Sequence, residues 1–127
     1  MNGDMMGTVH TKVRVFSADG KASTSVELLV DTGSLFSWVS DDVMRALGLR
    51  PTERWKIRPI DGRETERSVC DARIECEGRE GDVPIVFALP GDFNVLGVTA
   101  LERLGLEVDP RARVLRKQDV TLALATA

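Results

Sequence analysis

The stretch that decides the fold lies at residues 27–39 and reads Glu-Leu-Leu-Val-Asp-Thr-Gly-Ser-Leu-Phe-Ser-Trp-Val. An apolar run lies on each side of Asp31, and Thr-Gly-Ser follows it directly, as expected where a buried strand ends in a turn. An ionisable group in such surroundings costs free energy because it loses hydration. We therefore interpret Asp31 as half of a catalytic pair of carboxylates.

The composition indicates a single globular domain. The chain has 127 residues, of which 43% are hydrophobic and 29% are charged. A domain of this length buries roughly two-thirds of the surface that its unfolded chain exposes, so it can form its own core. We expect residues 1–127 to form one domain, with residues 1–6 and 119–127 as flexible tails or as parts of a dimer interface.

Charge and hydropathy argue against two classes of partner. The net charge is -3, with Lys and Arg interspersed among Asp and Glu, whereas nucleic-acid binding needs a basic surface. No stretch approaches the ~20 apolar residues of a membrane span, and residues 1–7 lack the basic and apolar regions of a secretory signal. We expect a cytoplasmic protein with no nucleic-acid or membrane partner.

The cysteines and the histidine predict neither a disulfide nor a metal site. Cys70 and Cys76 have the same parity in one predicted strand, which separates them by about 20 Å at ~3.3 Å per residue. They are therefore expected to be buried and unpaired. His10, the only histidine, falls on the outward face of a predicted strand, and no cluster has metal-ligand spacing. We expect no metal and no other cofactor.

Alternation and turn residues predict how the chain reaches and leaves the Asp-Thr-Gly loop. Residues 9–16 alternate between apolar and polar side chains, which predicts a half-buried strand, and residues 17–20 have the composition of a tight turn. Residues 25–30 are predicted to return antiparallel into the loop. Residues 35–39 predict a short strand, and residues 40–48 predict a helix of about two turns with a serine N-cap and a C-terminal glycine.

A second segment repeats this order of strand, glycine and helix. Residues 93–97 predict a short strand that ends in glycine. Thr99 and Glu102 have the spacing of a capping box for the helix that follows. The sequence Arg-Leu-Gly-Leu at 103–106 resembles Ala-Leu-Gly-Leu at 46–49, and two similar halves within one small domain are the simplest explanation.

Residues 55–69 predict a hairpin that is polar on both faces. Asp61-Gly62 between two extended segments is a strong hairpin signal, and the Arg and Glu side chains of residues 63–67 are interpreted as a solvated face. Further strands are predicted at 70–76, at 83–89 after a turn at 77–81, and at 106–108, 114–115 and 120–124. About nine short strands and two short helices predict an all-β, barrel-like fold.

A single carboxylate cannot perform the chemistry expected of Asp31. Peptide hydrolysis without a metal requires one group to take a proton from water and another to protonate the carbonyl oxygen. Two carboxylates about 3 Å apart share one proton and supply both groups. Residues 95–97, the equivalent place in the second half, carry no acid. A dyad therefore requires Asp31 of a second copy, which predicts a homodimer with a twofold axis at the site.

The residues around Asp31 suit such a site. Thr32 can form a hydrogen bond across the axis, and Gly33 permits close backbone approach and can offer its N–H to the carboxylate. Ser34 can supply a hydroxyl to the outer carboxylate oxygen. The polar hairpin can fold over the site, exclude water and hold the substrate backbone.

Three motifs, in this order, resemble those of a retropepsin-type aspartic protease, in particular the small cellular and bacterial-style members. They are Leu-Val-Asp-Thr-Gly-Ser at 29–34, the hairpin tipped by Asp61-Gly62, and Val-Leu-Gly at 95–97 with the helix after it. The resemblance covers nearly all of residues 7–118. It implies a single-domain acid protease barrel with two short helices and a flap hairpin, and a homodimeric hydrolase that cleaves peptides or unfolded proteins.

The resemblance also implies residue roles. Asp31 would be the catalytic aspartate of a loop completed by Thr32, Gly33 and Ser34. The flap would span residues 57–69, with a substrate-binding tip formed by Ile60, Asp61, Gly62 and Arg63. Two functions are compatible with this pattern: an aspartic endopeptidase that uses water activated by two Asp31 carboxylates, and a non-catalytic dimeric module that binds an extended peptide in the same cleft.

Overall fold

The computed structural model describes residues 9–58 and 62–118, and it is one domain made mostly of β-sheet. The described residues form nine strands and two short helices. Their bounds are β1 Val9–Phe16, β2 Ser23–Val30, β3 Ser37–Ser40, α1 Asp41–Ala46, β4 Glu53–Ile57, β5 Thr65–Cys76, β6 Arg79–Ala88, β7 Val95–Leu96, α2 Val98–Leu104, β8 Leu106–Asp109 and β9 Val114–Lys117. The predicted flap-tip residues Ile60 and Asp61, the tails and the predicted strand at 120–124 lie outside the described residues.

Seven strands form one sheet in the order β1-β2-β7-β3-β6-β5-β4, and β8 and β9 form a separate pair. β1 also pairs with β5, so the sheet curls back on itself. The short strand β7 lies between β2, with which it is parallel, and β3, with which it is antiparallel. This arrangement places the end of β2, where Asp31 follows, beside the start of α2.

The core lies inside the curled sheet and contains the apolar faces that alternation predicted. Along β1 every second residue from Val9 to Val15 is buried, and His10 is exposed. Cys70 and Cys76 are buried and unpaired on the inner face of β5, as predicted. Met44 of α1 and Phe87 of β6 are among the largest fully buried side chains. Among the described helices, neither is long and apolar enough to cross a bilayer.

Both helices end as the sequence predicts, but the second begins differently. Gly48 and Gly105 adopt φ values of +75° and +66° after the two helices, a conformation that favours glycine at a helix C-terminus. The capping box proposed for Thr99 and Glu102 is wrong. The N-cap of α2 is Gly97, and the Thr99 N–H donates a hydrogen bond to Leu35 O at 3.0 Å.

Several strand boundaries also differ from the predictions. β3 begins at Ser37 rather than residue 35, and β5 is one continuous strand, whose first part pairs with β4 and second part with β6. β6 begins at Arg79 rather than residue 83, because the turn before it consists of Glu77 and Gly78, both with positive φ. A two-residue turn of that kind matches the twist of antiparallel strands, so pairing resumes at once.

Candidate active site

Asp31 lies directly after β2 and begins a tight loop. Its backbone N–H donates to Leu96 O at 3.0 Å, and its carbonyl accepts a hydrogen bond from the Ser34 N–H at 3.1 Å. The Asp31 side chain is half-buried, and its Oδ1 accepts the Gly33 N–H at 2.9 Å, as predicted. A backbone N–H of the loop therefore fixes the orientation of the Asp31 carboxylate.

The start of α2 supports this loop through hydrogen bonds. The Val98 N–H donates to Ser34 O at 2.8 Å, and the Gly97 N–H donates to the buried hydroxyl of Ser37 at 2.9 Å. A β-carbon on Gly97 would collide with the Phe36 carbonyl and lie 2.7 Å from Ser34 O. Only glycine permits this approach, because real β-carbons essentially never come so close to backbone oxygens. The Val-Leu-Gly motif thus supports the Asp31 loop.

The other predicted loop residues have different surroundings. The Ser34 hydroxyl donates to Phe36 O at 2.7 Å rather than to the Asp31 carboxylate, so the hydrogen bond predicted for it is wrong. This contact closes the loop on itself. Thr32 is exposed, and its predicted hydrogen bond across a twofold axis stays a prediction because it requires a second chain.

Asp31 faces a cleft of about 450 Å³ between its loop, the β4–β5 hairpin and the loop that joins β6 to β7. Among the described residues, the lining consists of Asp31, Ser34, Trp38, Ile57, Thr65, Arg67, Gly91, Asp92, Phe93 and Val95. Most of the wall is therefore apolar or neutral. The predicted tip residues Gly62 and Arg63 are exposed and are not part of this lining.

A larger depression, of about 660 Å³, lies near the β1–β2 turn. Its lining includes Arg73, whose guanidinium pairs with Glu80 at 3.0 Å and with Asp82 at 3.5 Å. These charges are exposed and already paired with each other. We therefore place the candidate site at the smaller cleft, which contains the half-buried Asp31.

An ion pair in the cleft wall joins the hairpin to the β6–β7 loop. Arg67 Nε lies 2.8 Å from Asp92 Oδ2, and Arg67 Nη2 lies 3.0 Å from Asp92 Oδ1. The Leu89 N–H also donates to Asp92 Oδ2, at 2.8 Å. The hydrogen bond from Arg67 lowers the pKa of Asp92, and the same hydrogen bond raises the pKa of Arg67. Asp92 is thereby kept ionised.

The sequence did not reveal this pair. Arg67 was interpreted as part of a solvated face, but its side chain is only 17% exposed. Its partner lies 25 residues away, and no local pattern connects an arginine in a polar hairpin with an aspartate in a Pro-Gly-Asp turn. Only the pairing of β5 with β6 brings the two together.

An aromatic contact joins the same hairpin to the Asp31 loop. The ring of Trp55 in β4 lies 4.6 Å from the ring of Phe36, centroid to centroid, with the planes tilted by 55°. Offset and tilted pairs of this kind are favourable beyond the area that they bury. Trp55 therefore supports the hairpin, whereas Trp38 lines the cleft.

Neither known families nor metal chemistry add a constraint on this site. No protein-family model matches the chain, and no curated protein matches it. Within residues 9–58 and 62–118, no group of three or more His, Cys, Asp or Glu side chains is placed to hold a metal ion. The functional assignment therefore rests on the residues themselves.

Proposed function

We propose that this chain is a retropepsin-like aspartic endopeptidase that acts as a homodimer with one Asp31 from each copy. The observation that carries the proposal is the setting of Asp31. Its carboxylate accepts the Gly33 N–H at 2.9 Å, in a loop braced by the start of α2, and it faces a cleft beneath a hairpin. The carboxylate caps its own turn through Oδ1, and because it also faces the cleft it is placed to act on a bound peptide.

The state of the other carboxylate in the cleft supports the proposal that a second copy of the chain completes the dyad. Asp92 is the other carboxylate in its described lining, and the hydrogen bond from Arg67 holds the pKa of Asp92 below its usual range. A dyad requires two carboxyls that share one proton. Because Arg67 stabilises the ionised form of Asp92, that carboxylate is unsuited to hold the shared proton, and Asp31 of a twofold-related copy is the better partner.

Two exposed apolar side chains, one in the Asp31 loop and one at the rim of the cleft, favour contacts with other molecules. Leu35, in the loop that follows Asp31, is 60% exposed, and Phe93 at the rim of the cleft is 79% exposed. Apolar side chains as exposed as these gain free energy when another molecule covers them. We assign Leu35 to the contact between copies and Phe93 to the contact with substrate.

In the proposed mechanism the ionised Asp31 takes a proton from water as the water oxygen attacks the peptide carbonyl carbon. The protonated Asp31 of the second copy gives its proton to the carbonyl oxygen, which yields a tetrahedral diol. The first carboxyl then donates its proton to the amide nitrogen while the second takes a proton from the diol. The C–N bond breaks to give an acid and an amine, and the dyad again holds one proton.

The other parts of the proposal follow from the same cleft. The curled sheet would be the acid protease barrel, and the β4–β5 hairpin would be the flap that excludes water from the reaction. The walls include Trp38, Ile57, Phe93 and Val95, so peptides or unfolded proteins with apolar side chains near the cleaved bond are the expected substrates.

Incubation of the purified protein with a denatured protein substrate between acidic and neutral pH tests the proposal. We expect cleavage that a pepstatin-like inhibitor blocks, that Asp31→Asn abolishes and that Asp82→Asn, on the exposed surface, retains. Sedimentation should give the mass of a dimer. Cleavage that persists in a folded Asp31→Asn variant refutes the mechanism, and binding of a peptide by the wild type without cleavage favours the non-catalytic module instead.

A further inference from the structure

We propose that Arg67 and Trp55 are positioning residues that anchor the base of the β4–β5 hairpin, formed by β4 and the first part of β5, beside the Asp31 cleft. The inference rests on the proposed function insofar as the hairpin is taken to cover a bound peptide. It assigns a role to two contacts that the mechanism above does not use.

The first anchor is the ion pair between Arg67 and Asp92. Two parallel hydrogen bonds of 2.8 and 3.0 Å join the guanidinium to both carboxylate oxygens, a geometry that fixes orientation as well as distance. The side chains are only 17% and 18% exposed. Asp92 is itself held by the Leu89 N–H, and Arg67 Nη1 also donates to Glu66 O at 2.9 Å. Both ends of the contact are therefore fixed.

The second anchor is the contact of Trp55 with Phe36. Trp55 lies directly opposite Arg67 in the β4–β5 register, and residues directly opposite each other in a sheet point to the same face. One rung of the hairpin thus contacts both loops that border the cleft, the Asp31 loop through Phe36 and the β6–β7 loop through Asp92. Two contacts at one level hold the hairpin against rotation as well as against lifting.

Other ion pairs of the hairpin differ in kind. Arg54 pairs with Glu66 at 3.4 Å and Arg58 pairs with Glu64 at 2.9 Å, each between the two strands of the hairpin. Their side chains are 51 to 69% exposed, and exposed pairs contribute little. These pairs can stiffen the hairpin but do not attach it to the rest of the domain. Arg54–Glu66 therefore offers a matched control on the same two strands.

Hydrogen exchange of the backbone amides in β4 and the first part of β5 tests the anchor without substrate. We expect Arg67→Gln and Asp92→Asn each to accelerate exchange about tenfold, as for loss of a partly buried charged pair, and the double variant to add little to either. Glu66→Gln, the control, should change exchange less than about twofold. Asp92→Asn keeps the oxygen that accepts the Leu89 N–H, so it reports on the pair even if Arg67→Gln fails to fold.

Kinetics provide the second measurement. If the anchor positions the wall that a peptide contacts, its loss should raise KM about fivefold or more and lower kcat less, because binding weakens more than the chemical step. Exchange in Asp92→Asn that matches the wild type or Glu66→Gln overturns the proposal, as does a fall in kcat with KM unchanged. Accelerated exchange in a protein without peptidase activity supports the anchor and refutes the proposed function, so the two failures are distinguishable.

Discussion

Replacing Gly97 by alanine should disrupt the loop that carries Asp31, through steric contact rather than backbone strain. The φ of Gly97 is -99° and its ψ is -179°, a conformation open to alanine. The added β-carbon, however, would collide with the Phe36 carbonyl and lie 2.7 Å from Ser34 O. Neither oxygen belongs to a flexible side chain, so the loop and the start of α2 must separate.

The expected loss of stability follows from the contacts that Gly97→Ala would disturb. Overpacking in a fixed environment costs ~1–3 kcal/mol, and separation would weaken the hydrogen bonds from Val98 N to Ser34 O and from Thr99 N to Leu35 O, at ~1 kcal/mol each. We therefore expect Gly97→Ala to lower the free energy of unfolding by about 3 kcal/mol. Urea unfolding measures this as a lower midpoint at an unchanged slope.

Gly48 provides the matched control because a substitution there causes backbone strain without a steric clash. A β-carbon there meets nothing within 4 Å, but φ is +75°, so Gly48→Ala should cost ~1–2 kcal/mol through left-handed backbone strain alone. Asparagine tolerates that conformation, so Gly48→Asn should recover part of the loss and Gly97→Asn should not. The steric reasoning fails if Gly97→Ala is no more destabilising than Gly48→Ala.

Three further predictions concern other contacts. The hydrogen bond from Arg67 lowers the pKa of Asp92 below its ordinary value of 3.8, so the pair contributes stability that is present above that ordinary pKa and is lost as the pH falls through the lower folded value. The difference in urea midpoint between wild type and Asp92→Asn should therefore shrink below pH 3.8, and a constant difference contradicts this. Arg79 donates to the carbonyls of Leu104, the last residue of α2, and Gly105, at 3.1 and 3.2 Å, so Arg79→Gln should cost about 1 kcal/mol in urea unfolding, and an unchanged midpoint counts against it. Burial raises the pKa of both the Cys70 and Cys76 thiols, so a disulfide reagent at neutral pH should label neither until the protein is unfolded in urea; rapid labelling of the folded protein argues against their burial.

Local patterns in the sequence were sufficient for elements whose cause is local. The alternation of residues 9–16 predicted β1 because one of its faces is buried against the core. Gly48 and Gly105 predicted where the helices end, because few other residues adopt positive φ there. The Asp-Thr-Gly sequence likewise predicted the Gly33 hydrogen bond to Asp31, which lies within three consecutive residues.

Features that depend on distant pairing were not predictable in this way. The insertion of β7 between β2 and β3 places Thr99 beside Leu35, so the capping box was assigned incorrectly. The Ser34 hydroxyl was also assigned incorrectly, although its partner, Phe36 O, lies only two residues away. The capping-box pattern predicted that Thr99 caps the helix, whereas in the structure the Thr99 N–H donates a hydrogen bond to Leu35 O. The same limit applies to Arg67. The sequence shows that its side chain is charged, but not that it pairs with Asp92, which lies 25 residues away.

Asp31 and Asp92, the other carboxylate in the described lining of the cleft, should not be treated as a catalytic pair. Two carboxyls form a dyad only where their surroundings favour a shared proton. Asp92 has the opposite surroundings, because a bidentate arginine and the Leu89 N–H both stabilise its charge. Arg67 thus keeps Asp92 ionised, and the dyad that we propose needs Asp31 of a second copy as its other carboxyl.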